Sequence, residues 1–117
     1  MPRLARVAPE LPVADLDESL AYYVQKLGFE VAMRMANYAI VERDDVALHL
    51  FLDDGGRHSP VGCHMFVGDL ESLFAELERY GATVTQQIEL KPWGNREFRV
   101  KDGFGNELKF TEPLGED

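Results

Sequence analysis

The sequence predicts an α+β fold made of two βαβββ modules, which form curved mixed sheets. The first observation behind this prediction is an internal repeat: VADLDESLAYYVQKLGFEV, which starts at Val13, has a counterpart in VGDLESLFAELERYGATV, which starts at Val67. The second observation is that the spacing of apolar residues changes after each copy from about 3.6 to about 2 residues. The third is the length of 117 residues, which suits one domain.

We expect a single domain over residues 1–117. Its first module occupies about 3–53 and its second about 62–112, with a joint at 54–61 and a flexible tail at 113–117. Half a domain of this size is marginally stable on its own. The two modules must therefore share their sheet faces, either within one chain or between chains.

Each copy of the repeat opens with a short strand that leads into a helix. Asp15 and Asp69 stand where the helices begin, and a carboxylate there accepts hydrogen bonds from free backbone N–H groups. Gly28 and Gly81 stand where the helices end, at the position where a left-handed backbone costs least. Each helix has one apolar face, formed by Leu16, Leu20, Tyr23 and Leu27 in the first and by Leu70, Phe74, Leu77 and Tyr80 in the second.

Three strands are predicted after each helix, because β-branched and aromatic residues alternate with polar ones there. The segments are FEVAMR, YAIVER and VALHLF in the first module and TVTQQIEL, REFRVK and NELKF in the second. Asp44 and Asp45 form a tight turn between two strands of the first module. The longer loop 102–106 makes the corresponding connection in the second module.

The composition is that of a globular protein, with 45% apolar residues, 28% charged residues and a formal net charge of −9. This charge repels nucleic acid and attracts cationic solutes, so we expect no nucleic-acid partner. No apolar run has the length of a membrane-spanning helix, and no secretory leader is recognisable. The lone cysteine, Cys63, has no second cysteine to pair with, which fits a reducing compartment. We therefore expect a cytoplasmic protein without a membrane segment.

Three segments together resemble the vicinal oxygen chelate superfamily, which contains glyoxalase I, extradiol dioxygenases, fosfomycin-resistance enzymes and bleomycin resistance proteins. They are PELPVADLDESLAYYVQKLGFEV, YAIVERDDVALHLF and PWGNREFRVKDGFGNELKF. The last is the most specific, because PWG is followed by REF and then by D-x-x-G-N. The sequence is most similar to the bleomycin resistance proteins. The resemblance implies a homodimer, domain-swapped or sharing modules, in which each chain completes the other's cup-shaped site.

The resemblance also implies where a metal would be held in the superfamily's enzymes, on the first, fourth, fifth and eighth strands. Those positions fall on Ala8, His49, Gly62 or Cys63, and Lys109. Only His49 is a plausible ligand, because alanine has no donor atom and a protonated lysine repels a cation. We therefore predict no metal and no other cofactor.

An alternative metal site follows from a small shift in strand register. Such a shift would bring His64 into the cup with His49, and Glu10 could approach from the first strand. Two histidines and one carboxylate suffice for a weak zinc or nickel site, and thus for a metal-dependent enzyme of the glyoxalase or dioxygenase type. The competing interpretation is that both histidines are hydrogen-bonded residues of the cup lining.

The resemblance implies that a flat heterocycle binds between aromatic side chains, at a groove between two subunits. Matched by motif, the aromatic residues here are Trp93, held between Pro92 and Gly94, and Tyr38. Met33 and His64 stand where the family often has further aromatic residues. Methionine still contacts rings well, whereas a polar imidazole weakens an apolar slot.

Further candidate binding residues come from the strands and loops nearby. Phe51 and Phe66 flank the joint as either core residues or ligand contacts, the core being the favoured interpretation. Asp53, Asp54 and Glu97 are candidate counter-charges for a cationic ligand, although Glu97 has arginine neighbours with which to pair.

We expect a binding protein without catalytic residues that sequesters a bleomycin-type glycopeptide or a related planar, cationic small molecule. No nucleophile with a histidine partner and no phosphate-binding glycine loop is visible. Two alternatives are the metal-dependent enzyme described above and a housekeeping binder of another small molecule.

Overall fold

The computed structural model describes residues 1–113 and confirms the α+β fold with its two βαβββ units. Of the predicted tail at 113–117, all but Pro113 lies outside the described residues. The first unit consists of β1 (Glu10–Val13), α1 (Leu16–Leu27), β2 (Glu30–Arg34), β3 (Tyr38–Arg43) and β4 (Val46–Leu52). The second consists of β5 (Gly62–Phe66), α2 (Leu70–Tyr80), β6 (Thr83–Leu90), β7 (Asn95–Lys101) and β8 (Glu107–Pro113).

Each unit forms its own four-stranded mixed sheet, with the strand orders β1-β4-β3-β2 and β5-β8-β7-β6. In both sheets the strand that precedes the helix pairs in parallel with the last strand of the unit, and the remaining pairs are antiparallel. The parallel pair requires a crossover, and the helix supplies it. The internal repeat thus produces two sheets of the same topology.

The predicted helix ends are confirmed. Oδ1 of Asp15 accepts a hydrogen bond from the backbone N–H of Glu18 at 2.9 Å, and Asp69 caps α2 in the same way. Gly28 and Gly81 close the helices with φ values of 76° and 87°, in the left-handed region. Among the helices of residues 1–113, none is long and apolar enough to cross a membrane.

One core is shared by both units. It contains Leu48 and Leu50 from the first sheet, Phe98 and Val100 from the second, and the apolar faces of the two helices between them. All four predicted residues of α1 are buried. On α2, Leu70 and Leu77 are buried and Phe74 is partly buried, whereas Tyr80, the last residue of the helix, is 39% exposed.

Asn106 in the loop before β8 joins the two units. Its side-chain amide donates a hydrogen bond to the carbonyl of Pro12 on β1 at 2.8 Å. Its side-chain oxygen accepts one from the backbone N–H of Val61 at 3.0 Å. The D-x-x-G-N motif therefore fixes the position of the second sheet relative to the first.

Candidate functional site

The first sheet has one face turned away from the shared core. Side chains alternate along a strand, so His49 and Phe51 point opposite to the buried Leu48 and Leu50. Tyr38 on β3 is the register partner of Phe51 and therefore shares this open face.

The same register brings three more residues to this face. Ile40 pairs with His49, Met33 pairs with Ile40, and Glu10 on β1 also pairs with His49. We call this set the first-sheet patch: Glu10, Met33, Tyr38, Ile40, His49 and Phe51. The strand register therefore places the predicted contacts Met33, Tyr38 and Phe51 on one surface.

A hydrogen-bonded chain fixes the centre of the first-sheet patch. The Tyr38 hydroxyl donates to Oε2 of Glu10 at 3.0 Å and lies 2.7 Å from Nδ1 of His49. Since the hydroxyl has a single proton, Nδ1 of His49 carries the second one and donates to Tyr38. Partial burial and the bond to Glu10 raise the pKa of Tyr38 above its ordinary value. Tyr38 is thus held as a neutral phenol with its ring in a fixed position.

The second sheet also has an open face, because His64 and Phe66 alternate with the buried Met65 on β5. Nδ1 of His64 lies 3.0 Å from Oγ1 of Thr111 on β8. The rings of His64 and Phe66 stack with an interplanar angle of 22°. Lys109 is the register partner of both His64 and Arg99 and therefore lies on this face too. We call His64, Phe66, Glu97, Arg99, Lys109 and Thr111 the second-sheet patch.

The favoured interpretation of the two phenylalanines as core residues is wrong. Phe66 is 68% exposed, because it lies at the end of β5 on the open face. Phe51 is partly buried against His58, with ring centroids 5.2 Å apart, and lies outside the core cluster. Both rings are therefore available on open sheet faces.

Trp93 lies at the tip of the tight turn between β6 and β7. The backbone N–H of Lys91 donates to the carbonyl of Asn95 at 2.7 Å, and Gly94 has a φ of 96°. Trp93 itself is 63% exposed, so the prediction that it is not a core residue is confirmed. The turn holds its backbone while leaving the indole free.

The three predicted counter-charges lie in different surroundings. Asp53 accepts backbone hydrogen bonds from Arg57 at 3.1 Å and from His58 at 2.9 Å, so its carboxylate organises its own loop. The bond from His58 is the main cause that lowers the pKa of Asp53. Asp54, next to it in the turn, is exposed.

Glu97 is fully buried although it belongs to the second-sheet patch. Nε of Arg99 donates to its Oε2 at 2.6 Å, which is the arginine pairing foreseen from the sequence. The other oxygen, Oε1, has no hydrogen-bond partner within residues 1–113. Its register partner is Thr111, so the carboxylate adjoins the pair of Thr111 and His64.

The donor set does not fit the metal that the superfamily's enzymes use. Glu10 and His49 meet on the first-sheet patch, but His64 belongs to the second sheet, where it contacts Thr111. No group of three His, Cys, Asp or Glu side chains suited to a metal occurs in the part of the chain that the structure describes. The register also pairs His64 with Lys109, whose ammonium group disfavours a cation. The alternative site of Glu10, His49 and His64 is therefore not assembled within one chain.

Three residues of the open faces were not predicted as parts of the site, although Arg99 was foreseen as a partner of Glu97. Ile40 lies two positions after Tyr38, Arg99 two positions after Glu97, and Thr111 two positions after Lys109. The alternation of side chains between the two faces of each strand was the signal that could have identified them.

The bleomycin resistance protein of Geobacillus stearothermophilus is 27% identical over an alignment of 126 positions, gaps included, which covers 91% of this chain and 95% of that protein. The crystal structure of a bleomycin resistance determinant encoded on the transposon Tn5 superposes with a TM-score of 0.86 and 26% identity, covering 96% of this chain and 100% of the other.

The bleomycin-binding protein of Streptomyces verticillus, solved in complex with copper(II)-bleomycin, is also similar. It superposes with a TM-score of 0.82 and 27% identity, covering 99% of this chain and 100% of the other. The sequence profile described as "Glyoxalase/Bleomycin resistance protein/Dioxygenase superfamily" matches residues 3–110. Because the match spans nearly the whole length, this chain belongs to the glyoxalase/bleomycin resistance protein/dioxygenase superfamily.

Proposed function

We propose that this protein binds bleomycin-type glycopeptides, or a related planar and cationic small molecule, and sequesters them without chemical change. The observation that carries the proposal is Trp93, an exposed indole on a rigid turn, in a chain that aligns over its length with bleomycin-binding proteins. Sequestration acts by mass action, since bound drug is withdrawn in proportion to free protein and affinity.

Exposed and half-exposed aromatic rings support the proposal that the planar part of the ligand binds by stacking. Trp93 and Phe66 are exposed, and Tyr38 is oriented by its bonds to Glu10 and His49. A stacked heterocycle gains about 0.5–1.5 kcal/mol per aromatic contact beyond the burial of its area. Several such contacts are needed, because one contact alone gives weak binding.

The acidic residues of the protein support binding of the cationic part of the ligand. Of the candidate counter-charges, Asp54 is exposed, whereas Asp53 is engaged by its loop and Glu97 by Arg99. Glu10 on the first-sheet patch is a further exposed carboxylate. The formal net charge of −9 adds a long-range attraction for a cation.

We further propose that the ligand lies in a cleft between two copies of the chain. The first-sheet patch and the second-sheet patch both face away from the shared core, so one chain alone presents two open half-sites. A two-fold dimer can place the first patch of one chain opposite the second patch of its partner, and symmetry then creates two equivalent sites.

Calorimetric titration with metal-free and copper(II)-loaded bleomycin tests this function, with copper(II) salt alone as the control. We expect saturable heat with about one ligand per chain, together with quenching of Trp93 fluorescence. Sedimentation equilibrium of the same sample is expected to show a dimer. Absence of saturable binding to either form of bleomycin would contradict the proposal.

Metal analysis separates this proposal from the enzyme alternative. Protein purified without chelator is expected to contain much less than one equivalent of zinc, nickel, manganese or iron. One tightly bound metal per chain would instead favour a metal-dependent enzyme whose ligands come from two chains.

A further inference from the structure

A cavity lies between the two units on the side of the shared core. It measures about 380 Å³, within the range of about 300–1,000 Å³ that small-molecule sites occupy. Its buried lining is apolar and comes from both units, with Leu27 and Phe29 from the first and Met65, Leu77 and Phe110 from the second. We call it the inter-unit cavity.

Most of the inter-unit cavity is separate from the open faces that carry the proposed bleomycin site. Met65 and Phe110 point to the core side of the second sheet, opposite to His64 and Thr111. Phe66, at the end of β5, is the residue that borders both. Trp93 and Tyr38 do not line the cavity.

The charges around the inter-unit cavity are mostly negative. Four carboxylates line it, from Asp44, Asp45, Asp69 and Glu76, and Arg43 is the one cationic group among its described lining residues. The Arg43 guanidinium is already engaged, since it donates to Oε1 of Glu76 at 3.0 Å and to the carbonyl of Leu27 at 2.9 Å. Its Nε also lies 3.8 Å from Oδ2 of Asp44. One guanidinium offsets only one of the four negative charges, so an occupant still meets a net negative charge.

Asp45 is the carboxylate best placed to meet such an occupant, with Asp44 beside it and 3.8 Å from Nε of Arg43. Both are exposed in the turn between β3 and β4. Asp69 is engaged at the start of α2, where it accepts hydrogen bonds from the N–H and hydroxyl of Ser72. The cavity thus combines a buried apolar floor with a negative rim on one side.

We propose that the inter-unit cavity binds a small amine with an aromatic or aliphatic body, independently of the bleomycin-type ligand. The apolar body covers Leu27, Phe29 and Phe110, and the ammonium group lies toward Asp44 and Asp45. An anion of the same shape is excluded by the four carboxylates, and a neutral molecule gains only the apolar contact.

The experiment uses the whole protein and three probes of nearly the same shape: 1-naphthylmethylamine, 1-naphthalenemethanol and 1-naphthaleneacetate. Binding is followed by NMR, with the Met65 and Leu77 methyl groups reporting the cavity and the Trp93 indole reporting the open faces. We expect the amine to shift the two methyl signals saturably, the alcohol to bind more weakly, and the acetate not to bind.

Two variants probe the site. A Cβ added at Gly68, which lines the cavity, meets no atom within 4 Å, so Gly68→Phe is expected to fold and to reduce amine binding at least about tenfold by occupying the mouth. Gly55→Phe is the matched control outside the cavity.

Replacing Asp44 and Asp45 together by Asn is expected to weaken amine binding by roughly 3- to 10-fold, because exposed ion pairs contribute modestly. A double change of Glu18→Gln with Glu78→Gln, two exposed residues outside the cavity and both patches, is the control that makes the net charge less negative by the same amount.

Three results would overturn the proposal. The first is amine binding that Trp93→Ala abolishes and Gly68→Phe leaves intact, which assigns the amine to the open faces. The second is equal binding of amine and acetate. The third is the absence of saturable amine binding to the parent protein. If Gly68→Phe then also changes the mass in sedimentation equilibrium, the cavity is assigned to a second copy of the chain.

Discussion

The hydroxyl of Tyr23 on α1 donates a 2.9 Å hydrogen bond to Oδ2 of Asp102, 79 residues away in the loop between β7 and β8. Both residues are buried. Asn106 donates to the same carboxylate oxygen, and the backbone N–H of Phe104 donates to Oδ1. Burial, and then the carboxylate of Asp102, raise the pKa of Tyr23 well above its ordinary value, so the phenol remains the donor.

Tyr23→Phe tests whether this bond holds the two units together. We expect a loss of about 1–3 kcal/mol in unfolding free energy, because a buried carboxylate oxygen loses a donor that water cannot replace. Urea unfolding followed by circular dichroism measures it. Tyr38→Phe is the matched control, and a smaller loss is expected because Tyr38 lies on an open face. Equal losses in the two variants would show that the bond to Asp102 has no special weight.

The repeat made this fold predictable to a large extent. Asp15 and Asp69 are helix caps by local chemistry alone, and the glycines that end the helices follow the same logic. The hydrogen bond between Tyr23 and Asp102 was not predictable. The helical pattern predicts that the Tyr23 side chain is buried, but it contains no information about a distant partner of the hydroxyl.

The candidate site was harder to predict because it depends on strand register. A shift of one residue moves every side chain of a strand to the other face. The sequence therefore left open whether His64 joins His49, and the favoured core interpretation of Phe66 was wrong. Trp93 was more accessible to prediction, since its neighbours Pro92 and Gly94 mark a turn without reference to any partner strand.

Trp93→Ala is predicted to weaken binding of copper(II)-bleomycin by about 1–3 kcal/mol, or roughly 5- to 150-fold, as expected for a central aromatic contact. Folding should remain nearly intact, because the indole is 63% exposed. Calorimetric titration measures the first effect and thermal unfolding the second.

Phe98→Ala is the contrasting variant for Trp93. Phe98 is fully buried, and its removal is expected to cost about 3–5 kcal/mol of stability. A Trp93→Ala protein that melts as early as this variant, or that binds the drug as tightly as the parent, would show that Trp93 is not a ligand contact.

Glu76 on α2 and Arg43 on β3 form an ion pair between the two units, with Nη2 of Arg43 3.0 Å from Oε1 of Glu76, and this pair should make stability depend on pH. The hydrogen bond from Arg43 holds the pKa of Glu76 below its ordinary value of 4.5. The unfolded chain therefore takes up a proton at a higher pH than the folded one. The stabilisation is fully present above that ordinary value and is lost as the pH falls through the lower folded value.

Glu76→Gln should flatten this part of the pH profile and cost on the order of 1 kcal/mol at neutral pH, since the pair is only partly buried. Unfolding free energies measured from neutral pH down to acid test the prediction. Glu78→Gln on the same helix is the control and should leave the slope unchanged. A parental slope in the Glu76 variant would be the contrary result.

Removing Arg99 and removing Glu97 should cost different amounts of stability. Glu97 is fully buried, whereas 26% of the Arg99 side chain is exposed. Removing the arginine leaves a carboxylate that water cannot reach, and Oε1 already lacks a partner within the described chain. Removing the carboxylate leaves a guanidinium that can turn to solvent and that has Glu107 at 3.7 Å.

We therefore expect Arg99→Met to cost about 3–5 kcal/mol, the usual cost of leaving a buried charge unpaired, and Glu97→Met to cost distinctly less. The double variant, which removes both charges, should be more stable than Arg99→Met alone. A double-mutant cycle of urea unfolding supplies all three values. If Arg99→Met proves to be the milder change, the carboxylate of Glu97 must be accessible to water in solution, which would contradict its burial beside Thr111 in the second-sheet patch.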